Sequence, residues 1–171
     1  MKINIIKSLS FLLFFTFLVA LSTKKDTFLA RNSHALSTKY NILYNGGVGL
    51  DKGVKAIKAN SHDDFWQLLP VEKMQIIEDL TSTSKPKSTD FELAEAKATK
   101  AIQKHSMNIG GREKNSQIDE AYLMLGKARY YDQRFVPALD AFNYILYKYP
   151  NSSKIYEAKI WREKTNMRLG N

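Results

Sequence analysis

Apolar side chains recur at helical spacing along most of the chain. Between residues 34 and 59 they form two stripes, each on one helical face, on either side of Asn45-Gly46-Gly47. The members of these stripes are Leu36, Tyr40, Leu43, Tyr44, Leu50, Val54 and Ile57. Because paired glycines commonly end a helix, the pattern predicts a helix–turn–helix over 34–59.

Turn-forming stretches divide the rest of the chain. Residues 34–80 are predicted as an N-terminal helical hairpin region, which includes the apolar connector FWQLLP at 65–70. Residues 81–88, TSTSKPKS, predict a linker, and residues 89–152 a helical repeat region. No convincing strand alternation follows residue 22, so the predicted fold class is all-α.

Residues 119–152 carry the most specific motif in the chain. They resemble a tetratricopeptide repeat over its full length of about 34 residues, in which two antiparallel helices cross closely. Gly126 and Ala138 are small where the two helices should cross. Arg129 stands where a tyrosine is usual, so we expect it to reach solvent or to find an acidic neighbour. The positions that fix the register, and that should form the repeat core, are Tyr122, Leu125, Gly126, Phe135, Ala138, Phe142, Ile145 and Pro150.

Repeat arrays expose the inner face of their first helices to partners. On helix 119–132 this face predicts a partner-binding groove, which consists of Glu120, Leu123, Lys127, Tyr130 and Tyr131. The alternative is that the two tyrosines pack against the preceding helix, 90–107.

Residues 153–171 are expected to form the first helix of an incomplete following repeat. Without a second helix to cover it, Ile155 and Trp161 should remain as an exposed contact. Together the segments predict tetratricopeptide-type helical hairpins that form a short right-handed solenoid.

The first 22 residues have the layout of a secretory signal. A short positive segment precedes an apolar run that ends at Leu21 and is shorter than the roughly 20 residues needed to span a membrane. Leu18-Val19-Ala20 is the run that precedes the modified cysteine of bacterial lipoproteins, but leucine at position 21 cannot be acylated. We expect export to the periplasm or the inner face of the outer membrane, with residues 23–33 as a polar tether.

Composition narrows the classes of function. Cysteine is absent, which excludes disulfides, thiol catalysis and zinc–cysteine sites, and the three histidines do not stand at metal-ligating spacing. We therefore predict no catalytic, cofactor-binding or metal-binding residues, no small-molecule substrate and no enzymatic activity.

The chain of 171 residues is basic, with 26 Lys and Arg against 17 Asp and Glu and a net charge of +9. In an exported protein this positive charge fits a periplasmic or membrane-surface setting, so we expect no nucleic acid partner. Lysines at helical spacing (Lys97, Lys100 and Lys104, and Lys52 with Lys55) are usually a solvated face, but they also fit an anionic membrane surface or an acidic partner.

Longer strings carry a closer resemblance. Together they resemble the N-terminal part of the SprE/PorW-type tetratricopeptide lipoproteins of Bacteroidetes, which belong to gliding motility and the type IX secretion system. In that family a lipidated cysteine would precede the first string, where this chain has Leu21, and family members continue far beyond this length. The strings are STKKDTF at 22–28, HALSTKYNILYNG at 34–46, FWQLLP at 65–70, KAIQKHSM at 100–107, IDEAYLMLGKARYYDQRF at 118–135, FNYILYKYP at 142–150 and IWREKTNMRL at 160–169.

The resemblance implies a non-enzymatic interaction scaffold of the cell envelope, whose partners are other secretion and motility proteins. One alternative is a general outer-membrane assembly protein, which shares repeat endings of the KYPNS type found at 148–152. Another is an envelope enzyme or ligand-binding domain in which the repeat is only packaging.

Overall fold

The computed structural model describes residues 22–70, 72–74 and 88–170. The predicted signal and the predicted linker lie outside these ranges, apart from Ser22 and Ser88. The described chain is mostly helical, in agreement with the predicted all-α class. Its helices are α1 (Phe28–Leu36), a π-helix (Ser37–Leu43), α2 (Tyr44–Asn60), α3 (Thr89–His105), α4 (Ile118–Tyr131), α5 (Phe135–Lys148) and α6 (Ile155–Leu169).

The turn predicted at Asn45-Gly46-Gly47 is wrong. The first three helical segments join without a break into one long helix, Phe28–Asn60. A Cβ on Gly46 would lie 2.6 Å from the Met124 sulfur, and one on Gly53 would lie 2.4 Å from the Phe91 ring. These glycines are therefore helical because they let neighbouring side chains approach closely, which outweighs their low helix propensity.

The long helix begins inside the segment 23–33 that was predicted as a tether. Thr27 is its N-cap, and the Thr27 hydroxyl accepts a hydrogen bond from the Ala30 N–H. Capping of this kind fixes a helix start because it satisfies an amide that has no partner within the helix. The part of the predicted tether that lies outside the helix is thus residues 23–27, which include a turn closed by a hydrogen bond from the Lys25 N–H to the Ser22 carbonyl.

Most of the apolar stripe predicted on the first helix faces outward. Leu36, Tyr40 and Tyr44 are exposed, whereas Leu43 is buried beside Ile42. The buried face of the long helix is otherwise lined by small residues: Ala30, Thr38, Gly46, Gly49 and Gly53. Periodicity alone assigns the apolar side of such a helix to the core, but close packing selects its small side here.

Each helix packs mainly on the helices that precede and follow it in the chain. The long helix lies on α3, α3 on α4, α4 on α5, and α5 on α6. One apolar cluster lies between the π-helix, α3, α4 and α5, and a second joins α4, α5 and α6. The long helix and α6 therefore form the two ends of a linear stack. Within the described residues, no helix has the length and apolar character needed to span a bilayer.

A small hairpin connects α3 to α4. Its strands β1 (Asn108–Ile109) and β2 (Arg112–Glu113) pair in antiparallel fashion around two glycines with positive φ. The Glu113 carboxylate accepts hydrogen bonds from the backbone N–H groups of Met107 and Asn115. The Asn115 side chain in turn donates to the Thr38 hydroxyl, which ties this connection to the π-helix.

Candidate interaction surfaces

The α4–α5 hairpin is built around Gly126. A Cβ on this residue would lie 2.4 Å from the Phe142 ring, so the ring fits only against a bare backbone. Gly126 and Phe142 therefore meet as the repeat register predicts. Of the other predicted core residues, Leu125, Ala138 and Ile145 are buried, Tyr122 and Phe135 are partly buried, and Pro150 is exposed after the end of α5.

The groove predicted on α4 is not open, because α6 and residues 72–74 cover it. Leu123 and Tyr130 are each only 1% exposed. Both belong to the apolar cluster that α6 completes with Ala158 and Trp161. Tyr131 is partly buried and stacks on the Phe91 ring of α3, as in the alternative that placed the tyrosines against the preceding helix.

The charged members of the predicted groove are also engaged within the chain. Lys127 pairs with Glu157 of α6, with 2.5 Å between ammonium and carboxylate. Glu120 pairs with Lys154, just before α6, at the same distance. The face expected to bind a partner is therefore an interface between α4 and α6 within the chain.

A polar cluster that the sequence did not indicate lies beside Tyr130. The Tyr130 hydroxyl donates to the Glu72 carboxylate, and an Arg168 guanidinium nitrogen lies 2.8 Å from the same carboxylate and 3.0 Å from the Met74 carbonyl oxygen. Burial and the bond to Glu72 raise the pKa of Tyr130 to about 12. Glu72 and Arg168 are too far apart in sequence for any spacing to reveal this cluster.

The ionisation of Glu72 keeps this cluster together. Burial raises the pKa of Glu72, but hydrogen bonds from Lys164, Tyr130 and Arg168 outweigh burial, so its pKa lies below the usual value. The carboxylate is therefore ionised at neutral pH and ties residues 72–74 to the end of α6.

Arg129, which was expected to reach solvent or to find an acidic neighbour, pairs with Glu95. Its Nε donates to Glu95 of α3 over 2.9 Å, and a second guanidinium, that of Arg134, contacts the same carboxylate. Another Arg129 nitrogen donates to the Pro137 carbonyl. The residue that departs from the repeat pattern thus joins α4 to both α3 and α5.

Ile155 and Trp161, which were predicted as an exposed contact, are both partly exposed and partly packed against the rest of the chain. Trp161 lies in a ring cluster with Tyr130, Tyr131 and Phe142, and the Lys164 ammonium lies 4.4 Å from a centroid of its indole. The side of α6 that carries Ala158 and Trp161 faces α5, where it packs against apolar residues such as Phe142 and Ile145.

The opposite side of α6 is the exposed one. Tyr156, Ile160 and Met167 are between 62% and 74% exposed and fall at i, i+4 and i+11, on one helical face. We call these three residues the α6 outer face. Since the inner side of α6 is engaged by α5, this face is the part of the helix left for a partner.

The loop 61–70, which includes the predicted connector at 65–70, carries further exposed apolar groups. Phe65, Trp66 and Leu68 are almost wholly exposed. The adjacent Asp63 contacts Lys73, and among the described residues no group of three or more acidic or histidine side chains is placed to hold a metal ion. The connector is thus a solvated loop with an apolar tip.

Two faces at the ends of the stack therefore remain as candidate interaction surfaces. One is the α6 outer face, and the other is the exposed side of the long helix around Tyr40 and Tyr44.

Comparisons with known proteins give no family: no protein-family model matches the chain, and no curated protein is significantly similar to it.

Proposed function

We propose that this protein is a non-enzymatic protein–protein interaction scaffold of the cell envelope that supports type IX secretion and gliding motility. The resemblance of its sequence strings to the SprE/PorW-type proteins supports the system, and the signal-like N-terminus supports a place in the periplasm or at the inner face of the outer membrane. The observation that carries the interaction role is the exposed α6 outer face on a helix whose other side packs on α4 and α5.

We further propose that α4 and α5 form a tetratricopeptide repeat within a short right-handed solenoid. The close contact of Gly126 with Phe142 and the packing of each helix on its chain neighbours support this architecture. In such an array α6 takes the place of the first helix of a further repeat. In a complete repeat, a second helix would pack on the side of α6 that carries Ile160. A helix is therefore the kind of structure that the α6 outer face is suited to bind.

The chemistry of the α6 outer face defines the partner that it fits. Two of its apolar side chains, Ile160 and Met167, have charged residues of both signs nearby in the sequence, including Lys159 and Glu163. An apolar stripe with mixed charges at its edges suits an amphipathic helix whose own apolar residues recur at i, i+3 or i+4. We therefore propose a helical segment of another envelope protein as the partner.

Complementation in the native bacterium tests this function. A deletion strain should lose secretion of type IX cargo and spreading on agar, and the wild-type gene should restore both. The double variant Ile160→Asp/Met167→Asp should reach wild-type levels by immunoblot but restore neither. The matched control Val136→Asp/Tyr147→Asp changes exposed apolar residues of α5 and should restore both. Full rescue by the α6 variant would overturn the proposed role of this face.

The same deletion strain distinguishes the secretion role from the alternative function, a general role in outer-membrane assembly. The repeat ending KYPNS at 148–152, a type that general outer-membrane assembly proteins share, favours a general role in outer-membrane assembly. Such a role would lower the amounts of many outer-membrane proteins, whereas a secretion role lowers the secreted cargo and leaves outer-membrane protein levels unchanged.

A further inference from the structure

We propose that the outer side of the long helix is a membrane-binding surface that lies flat on an anionic bilayer. Four side chains define this surface, which we call the outer stripe: Leu36, Tyr40, Tyr44 and Val48. Each is between 52% and 67% exposed, although the side of the helix that faces the protein is lined largely by small residues. The long helix therefore presents its larger apolar groups to the surroundings.

The π-helix keeps the outer stripe in line. In an α-helix, residues four apart drift by about 40° around the axis, so a stripe of this spacing would wind away from one plane. Between Leu36 and Tyr44 the turns are wider, and the Tyr44 N–H donates to the Lys39 carbonyl, five residues earlier. Wider turns shift every fourth residue in the opposite direction, which offsets the drift of the α-helical part. The local π geometry thus keeps the four side chains closer to one side of the helix than uninterrupted α-helical turns would.

Charge identifies a bilayer as the occupant. Over residues 28–60 the sequence has five basic side chains, Arg31, Lys39, Lys52, Lys55 and Lys58, against one acidic side chain, Asp51. Arg31 pairs with Asp26 and Lys52 with Asp90, so Lys39, Lys55 and Lys58 contribute most of the positive charge that the long helix offers to a surface. Lysine side chains beside an apolar helical stripe favour an anionic lipid surface. The α6 outer face is less suited to such a surface, because α6 carries two acidic residues, Glu157 and Glu163, among its four basic residues.

The aromatic members of the outer stripe suit the same environment. Tyr40 and Tyr44 each combine an apolar ring with a hydroxyl, which is the composition enriched where a membrane meets water. The Lys39 ammonium lies 5.3 Å from the centroid of the Tyr40 ring, so the cation sits at the edge of the stripe. Rings can then enter the boundary of the acyl chains while the cation remains among the headgroups.

The absence of cysteine from the chain allows a test at single positions of the full-length protein. Tyr44→Cys, labelled with the environment-sensitive fluorophore NBD, is mixed with phosphatidylglycerol-containing vesicles that carry a lipid-bound quencher. The matched control is Tyr147→Cys with the same label, at an exposed tyrosine of α5. We expect the label at 44 to brighten and to be quenched from the lipid, and the label at 147 to do neither. Because each label reports its own surroundings, contact made by the N-terminal apolar run does not imitate this result.

A charge variant tests whether the cations act with the stripe. Lys39→Glu/Lys55→Glu should weaken the lipid-dependent signal at position 44 by about tenfold or more, since each cation near an anionic leaflet contributes to binding. Lys100→Glu/Lys159→Glu is the control for an equal change of net charge elsewhere.

Three results would overturn the proposal. The first is no lipid-dependent signal at position 44, which leaves a protein as the occupant of the outer stripe. The second is a signal that rises with protein concentration without vesicles, which identifies a second copy. The third is equal signals at positions 44 and 147, which excludes a specific orientation. All three readouts use purified protein and vesicles, so they do not depend on the proposed secretion function.

Discussion

At Gly126 the backbone of α4 comes so close to Phe142 that one added carbon has no room. We predict that Gly126→Ala lowers the free energy of unfolding by about 1–3 kcal/mol, because the aromatic ring must move within a packed interface. Gly47 is the matched control, since it is also helical but a Cβ there would have the Met124 methyl 4.0 Å away as its nearest neighbour. Gly47→Ala should raise stability by about 0.5–1 kcal/mol. Urea unfolding measures both, and shifts of the same sign would contradict this account of the crossing.

Glu95 is the residue that holds two guanidinium groups together. Burial raises its pKa, but hydrogen bonds from Arg134 and Arg129 prevail and hold the pKa below its usual value. We predict that Glu95→Gln lowers the free energy of unfolding by about 1–3 kcal/mol at neutral pH, because the two arginines lose their shared anion. Glu163→Gln, at an exposed carboxylate on α6, is the control and should leave the unfolding midpoint unchanged. A loss no larger for Glu95→Gln would mean that this cluster is only a surface contact.

At the scale of single elements, the sequence predicted the α4–α5 hairpin correctly because a motif with many fixed positions covers it. Apolar periodicity alone did not predict the course of the long helix. The α4–α5 hairpin has Gly126, Phe142 and Pro150 at set separations, and each position limits the register independently. The long helix offers only apolar spacing and a glycine pair. Whether a glycine pair ends a helix or admits a neighbour depends on residues such as Phe91 and Met124, which lie far away in the sequence.

The helix α6 should be the least protected of the helices from α4 onward. Only its inner side is covered, and Trp161 is its main anchor in the ring cluster. We predict that amide hydrogens of α6 exchange about tenfold or more faster than those of α4, because local opening of α6 exposes less apolar surface. Trp161→Ala should speed exchange in α6 further, whereas Tyr156→Ala, on the exposed side, should not. Equal protection of α4 and α6 in a monomer would show that α6 opens only with the whole fold.

At the scale of the whole molecule, the stack explains why the predicted groove was misplaced. Sequence spacing correctly put Leu123, Lys127 and Tyr130 near one side of α4. It did not reveal that α6 and residues 72–74 fold onto that side, because this depends on contacts such as Tyr130 with Glu72 that join distant segments. The two proposed interaction surfaces are at the ends of the stack, on the long helix and on α6. The sequence identifies the apolar residues of these surfaces, but it does not predict which side of each end helix faces outward.

Acid should weaken the whole stack in two steps, and the first belongs to a histidine pair. The Nδ1 atoms of His34 on α1 and His105 on α3 lie 3.0 Å apart, and burial together with His34 and Lys100 lowers the pKa of His105. A lowered pKa means that the unfolded chain binds the proton more tightly, so this contribution to stability is complete above about pH 6.5 and is lost as the pH falls. Glu72 and Glu95 also have lowered pKa values, so their contribution is lost only below about pH 4.5.

We therefore predict that the melting temperature falls between about pH 7 and pH 5.5, and falls again below about pH 4.5. His105→Asn should remove most of the first decrease, because asparagine gains no charge in that range, and should leave the second in place. Arg134→Gln should reduce the second decrease and not the first, since it removes one cation from Glu95 and is remote in sequence from the histidines. Thermal unfolding followed by circular dichroism from about pH 8 to pH 3.5 separates the two steps. A wild-type melting temperature that does not change between about pH 7 and pH 5.5 would show that the His34–His105 contact does not oppose protonation, and the junction of α1 with α3 would then tolerate a charged imidazole.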